Sequence, residues 1–202
     1  MNRRKLLGAV AGASILSGCS AERFFSLQWT EEVQLRDGRV LLVKVKNRYR
    51  RLGLLLFRKL YEPARFLSTE ISFNAGAPIG LFNQVLESYI VAAIEQVNGN
   101  WFLILEQRYG GQGHKWGVPE DMDGHVFLRI AASGLVPASA SEFGGGELLK
   151  ANMLLDNAEV DDFAQFNKGF VSLRQKSDFL SRHPLNPGED RIKRRAQSAV
   201  AS

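Results

Sequence analysis

"WTEEVQLRDGRVLLVKVKNRYR", Trp29 to Arg50, decides the fold class. Val33 and Leu35 alternate with polar neighbours, Asp37-Gly38 is a strong two-residue turn signal, and Val40 to Val45 is rich in apolar and β-branched residues. An amphipathic helix fails here on two counts. The Asp-Gly pair would break it, and the valines would lose side-chain freedom against the preceding helical turn. The stretch therefore predicts a β-hairpin.

Working outward, the same period of two recurs. "RFLSTEISF", Arg65 to Phe73, alternates as a half-buried strand does. A Gly/Pro loop covers 74–80, and "ESYIVAAIEQV" and "WFLILEQR" then flank Asn98-Gly99-Asn100. That is a second hairpin with an Asn-Gly turn, and its nearly continuous apolar arms are the best candidates for the centre of the core. "VFLRIA" is a further strand. "RYRRLGLLLFRKLYEPARF" reads as strand or short helix, ended by Pro63. "YGGQGHKWGVPEDMDGH" is a long polar, glycine-rich loop. The stretch 160–182 suits a partial helix, with Asp161 and Asp162 placed for a first turn and Gly169 interrupting it. The expected fold is a single strand-rich, β-sandwich-like domain, mainly β or α+β, with two β-hairpins and a partly helical C-terminal region. Residues 19–189 form that domain, and 190–202 form a basic disordered tail.

The first 18 residues stand apart. Arg3, Arg4 and Lys5 give a cationic start, Leu6 to Leu16 carry no charge, and small residues precede Cys19. The apolar run is well short of the ~20 residues that span a bilayer. This is the layout of a cleaved export signal. "LSGC", Leu16 to Cys19, resembles the lipobox of bacterial lipoprotein precursors. The resemblance implies a lipid on the Cys19 sulfur, cleavage between Gly18 and Cys19, and a membrane partner. Several acyl chains on one cysteine would hold firmly, since each buried methylene contributes ~0.8 kcal/mol. Ser20, rather than Asp, after the cysteine implies the outer membrane, facing the periplasm. "NRRKLLG" resembles a twin-arginine signal through Arg3 and Arg4, which implies export in the folded state. "WTEEVQLRDGRVLLVK" resembles the start of bacterial hypothetical proteins of no assigned activity, and this likeness brings no catalytic residues.

Charge narrows the partners. The 202 residues carry a net charge of +5, of which Arg3, Arg4 and Lys5 supply three. The tail from Asp190 to Ser202 supplies another +3, so the body is near −1. A nucleic-acid partner is not expected, because such a protein clusters its charge on the folded body. Cys19 is the only cysteine, which leaves no disulfide and no cysteine metal site.

No catalytic set emerges. His114 and His125 lie near Glu120, Asp121 and Asp123, yet the spacing matches no metal-ligand pattern. Aligned as a calcium loop, its first position falls on Pro119 and its terminal acid on Ile130. Gly111, Gly113 and Gly117 miss the dinucleotide fingerprint by one residue. No cofactor and no metal are expected. Tyr109, His114, Lys115 and Trp116 form a candidate binding loop whose aromatic and cationic tips suit a sugar or a partner surface.

A run of cations, Lys44, Lys46, Arg48, Arg50, Arg51, Arg58 and Lys59, is the second candidate. Its alternating early members suit a solvated edge strand that blocks edge-to-edge pairing. Facing an anionic membrane or cell-wall polymer, each would contribute about 1 kcal/mol instead. The expectation is a lipid-anchored envelope protein with a non-catalytic binding or structural role. The alternative is an enzyme exported folded, with its site near His114 to His125.

Overall fold

In the computed structural model, residues 22–52, 64–107, 116, 125–139, 142, 151–153 and 169–182 are described. Trp29 to Arg50 forms the hairpin that its alternation predicts. Strands β1 (Glu22–Gln34) and β2 (Val40–Leu52) pair antiparallel from Glu22↔Leu52 to Gln34↔Val40. Leu35 N–H donates to Arg39 O at 2.9 Å and Gly38 N–H to Leu35 O at 3.0 Å. Asp37 and Gly38 thus sit in a three-residue loop rather than a two-residue one. Gly38 takes the left-handed conformation that closes it, with φ of 85°.

The chain continues through β3 (Arg65–Asn74), β4 (Leu81–Glu87), β5 (Tyr89–Val97), β6 (Asn100–Gln107), β7 (His125–Ala131), β8 (Gly134–Pro137) and β9 (Gly169–Val171) to helix α1 (Leu173–Arg182). Two sheets result. One has the order β4-β3-β2-β1-β9, with β9 parallel to β1, and the other has the order β5-β6-β7-β8. The second hairpin forms at Asn98-Gly99, where both residues have positive φ, 49° and 78°. That is the twist an Asn-Gly turn supplies to antiparallel strands.

The sheets are joined at Ser88, the one residue between β4 and β5. Its φ of 62° turns the chain from one sheet into the other, and its N–H donates to Leu67 O at 2.8 Å. The sequence reading assigned no strand to Leu81–Glu87, whose apolar residues Phe82 and Leu86 are separated by mostly polar ones.

The inner faces meet in one apolar core. Val33, Val43 and Ile71 of the first sheet and Ile94, Leu103, Leu105 and Leu128 of the second are fully buried there. Phe73 and Trp101 meet across it with ring centroids 5.4 Å apart. Trp101 Nε1–H also donates to Ala75 O at 2.8 Å, so its one polar atom is satisfied inside. On the other side of the second sheet, Ala93, Phe102, Ile104 and Phe127 form a smaller cluster. Burial on both faces explains the continuous apolar character of the β5 and β6 sequences.

One expectation lies outside the described residues and one is corrected. Helix α1 supplies the helical part of the C-terminal region from Leu173, beyond Gly169 in β9, while the expected first turn at Asp161 and Asp162 lies outside the described residues. Its start is a capping box: Gln175 N–H donates to Ser172 Oγ at 3.2 Å, and Ser172 N–H donates to Gln175 Oε1 at 2.8 Å. Strand β2 is not an edge strand, because β1 and β3 flank it and it is third of five. Its cations therefore have no free edge to protect. The ambiguous stretch at 53–63, the glycine-rich loop other than Trp116 and His125, and everything beyond residue 182 lie outside the described residues.

Candidate functional site

Every second residue of β2 points out of the sandwich. Val43, Val45, Asn47 and Tyr49 are buried, while Lys44 and Arg48 are exposed and Lys46 and Arg50 half-buried. The pairing extends this pattern into cross-strand rows. Phe170, Thr30, Lys44, Ser72 and Asn83 form one row, and Gln28, Lys46, Glu70 and Val85 the next. Ser26 lies opposite Arg48, and Phe24 opposite Arg50, which in turn faces Arg65. Lys46 Nζ lies 3.7 Å from Glu70 Oε2, an ion pair open to solvent.

Between these rows lies a depression of ≈ 350 Å³ with Gln28, Thr30, Lys44, Lys46, Glu70, Ser72 and Asn83 among its lining residues. The lining mixes cations, amides and hydroxyls, a donor-rich set suited to anionic or polyhydroxylated ligands. Inside the sandwich, by contrast, the void beside Asn47, Thr69 and Met153 measures ≈ 10 Å³. That admits no more than a single water.

A second polar group is buried and ties the two sheets together. Glu31 on β1 is fully buried, and Lys176 of α1 is nearly so, with Nζ 3.5 Å from Glu31 Oε2. Trp29 Nε1–H donates to the same carboxylate at 3.3 Å, and Lys176 Nζ donates to Asn152 O at 2.9 Å. Asn152 seals the β5 edge. Its Nδ2 donates to Ile94 O at 2.8 Å and Gln34 O at 3.1 Å, and its Oδ1 accepts from Ile94 N–H at 3.0 Å. Glu95 completes the group, accepting from Asn152 Nδ2 and from Arg36 N–H, each at 3.2 Å. Burial lowers the Lys176 ammonium from its ordinary value, against the pull of Glu31. Burial likewise raises the Glu95 carboxyl, against the Arg36 N–H bond.

In this group Glu31 and Lys176 face each other, while Glu95 faces the Asn152 amide and the Arg36 backbone N–H. Because Glu95 holds a proton more tightly folded than unfolded, stability falls as pH rises above its ordinary value of 4.5. Glu95→Gln keeps an acceptor and removes the charge. Its urea midpoint is expected to vary less than the wild type's between pH 5 and 7.5, with the variant relatively more stable at pH 7.5. An unchanged pH slope would remove Glu95 from this account.

The sequence-stated candidates fare unevenly. Trp116 is half-buried against the core, its ring 5.2 Å from that of Tyr89 and edge-on to it. It serves packing rather than standing out as a loop tip. Tyr109, His114 and Lys115 lie outside the described residues, as do Arg3, Arg4, Gly18, Cys19, Glu120, Asp121 and Asp123. Arg58 and Lys59 lie outside them too. His125 opens β7, opposite Glu106, and is half-buried. Among the described residues no three His, Cys, Asp or Glu side chains converge as a metal site.

What the sequence reading missed is Glu31, Asn152 and Lys176, which no local pattern links. One signal was available: Glu31 falls at an inward position of the alternation that also carries Trp29 and Val33. No known family, curated protein or solved structure matches this chain.

Proposed function

We propose that this chain is a lipid-anchored protein of a bacterial cell envelope, tethered through Cys19, which works by binding rather than by catalysis. Its working surface is the outer face of the five-stranded sheet. One observation carries this reading: the cations of β2 stand on the open face of a central strand, where edge protection cannot account for them. A polar, donor-rich depression lies among them. The anchor rests on Leu16-Ser17-Gly18-Cys19 behind a short cationic and apolar start. Among the described residues no helix is long and apolar enough to cross a membrane.

Two measurements test the reading. Cys19→Ala is expected to abolish incorporation of labelled palmitate and to prevent maturation. Full labelling of that variant would overturn the anchor. A photo-crosslinking residue in place of Ser72, on the outer face, is expected to trap a discrete product in intact envelopes. The same residue in place of Asn98, at the turn of the second hairpin, is not. Identical patterns from the two positions would overturn the binding surface.

A further inference from the structure

We infer that the end of the five-stranded sheet nearest residue 22 docks against an anionic phospholipid surface through Arg48, Arg65 and Phe24. The inference deepens the preceding proposal and takes the Cys19 tether from it. Two residues, Ser20 and Ala21, separate Cys19 from Glu22, where β1 begins, so the three chain steps between them span at most about 11 Å. A lipid on Cys19 would therefore hold this end of the sheet, and not the other, at the headgroups.

The side chains at this end suit that surface. Register places Arg50 opposite both Phe24 and Arg65, with Arg48 in the adjoining outward row. Arg48 and Arg65 are exposed, and Phe24 is 60% exposed although it is a large apolar side chain. Guanidinium groups bind phosphate in two-point fashion, and an aromatic ring beside them suits the interface between headgroup and acyl chain. Carboxylates are outnumbered at this end, where Glu22 begins β1 and Glu87 closes the row of Arg48 and Ser68 two strands away. Glu32 sits toward the β1–β2 turn, and Glu70 is engaged by Lys46. The arginines thus gather at the tethered end, and among the described residues the outward Phe24 beside them is not part of the apolar core.

The lipidated chain offers a direct test, because once Cys19 is acylated a newly introduced cysteine is the only free thiol. The protein carries a fluorophore at Ser26→Cys, beside Arg48, or at Asp37→Cys. The two sites lie about 30–37 Å apart along the sheet, taking ~3.4 Å per strand residue. It is reconstituted in vesicles of phosphatidylcholine alone or with phosphatidylglycerol, each containing a nitroxide-headgroup quencher. Quenching at position 26 is expected to rise with phosphatidylglycerol and to be reversed by about 0.5 M sodium chloride. Position 37 is expected to stay unquenched throughout.

Arg48→Gln with Arg65→Gln alters only exposed side chains. It is expected to lower the docked-to-undocked ratio about 30-fold, since each cation near an anionic surface is worth roughly fivefold. Equal quenching in both lipids, or indifference to the two substitutions, would overturn the inference. So would a soluble anionic polymer that engages Arg48 and Arg65 while lipid composition has no effect. A chain that fails to float with phosphatidylcholine vesicles, yet floats with phosphatidylglycerol through these arginines, defeats the tether and supports the docking.

Discussion

Lys176→Met is expected to destabilise the fold by about 3–5 kcal/mol, the range for breaking a buried ion pair by removing one partner. Lys176 is 7% exposed and Glu31 is 0% exposed, so the remaining carboxylate cannot turn to water. The ammonium also satisfies Asn152 O, which would be left without that donor. Replacing both members is expected to cost far less than replacing one. Glu31→Leu with Lys176→Met removes both charges from the interior, and desolvation then no longer opposes folding. Urea unfolding of the two singles and the double measures the coupling directly. A single substitution costing under 1 kcal/mol, or a double as unstable as the sum of the singles, would show that the pair is not held as described.

The second large effect is expected at Asn152. Asn152→Ala removes one acceptor and one donor group that together serve Ile94 N–H, Ile94 O, Gln34 O and Glu95. Leaving a buried backbone group unmade costs about 1–3 kcal/mol, so the variant is expected to lose about 2–4 kcal/mol. The loss has a location as well as a size. Amide exchange at Ile94 is expected to accelerate by orders of magnitude relative to Leu103 in the middle of β6, because the β5 edge opens first. Uniform acceleration across both strands would mean global rather than local loosening. Asn152→Asp retains the acceptor for Ile94 N–H but brings a second carboxylate beside Glu95, and it is expected to be worse at pH 7.5 than at pH 5.

How far these features could be read beforehand depends on whether their cause is local. Asn98-Gly99 was legible because left-handed backbone is cheap for those two residues and a hairpin turn requires it. The outward direction of Lys44, Lys46, Arg48 and Arg50 was legible from strict alternation with Val45 and Tyr49. Strand β4 was not legible, since Ser88 offers no marker for a positive φ and no Gly or Pro separates it from β5. The start of α1 was written in Ser172 and Gln175, a capping-box spacing. Whether Trp116 stands out as a loop tip or folds onto the core was open in the sequence, which does not tell whether an aromatic ring in a glycine-rich stretch turns inward; the structure sets it against Tyr89.

The sequence by itself determined the local geometry: strands with a period of two, two tight turns, an all-apolar pair at the centre of the core, and a lone cysteine behind a short apolar run. Each of these follows from backbone sterics or composition within a few residues, which is all that periodicity encodes. Only the tertiary structure decided that β2 lies at the centre of its sheet, so that its cations form an open face instead of guarding an edge. It alone also joined Glu31, Lys176, Asn152 and Glu95. Strand order and distant polar partners are set by which apolar faces bury one another across the sandwich. That free energy depends on the whole set of buried surfaces and has no imprint in any short stretch of chain.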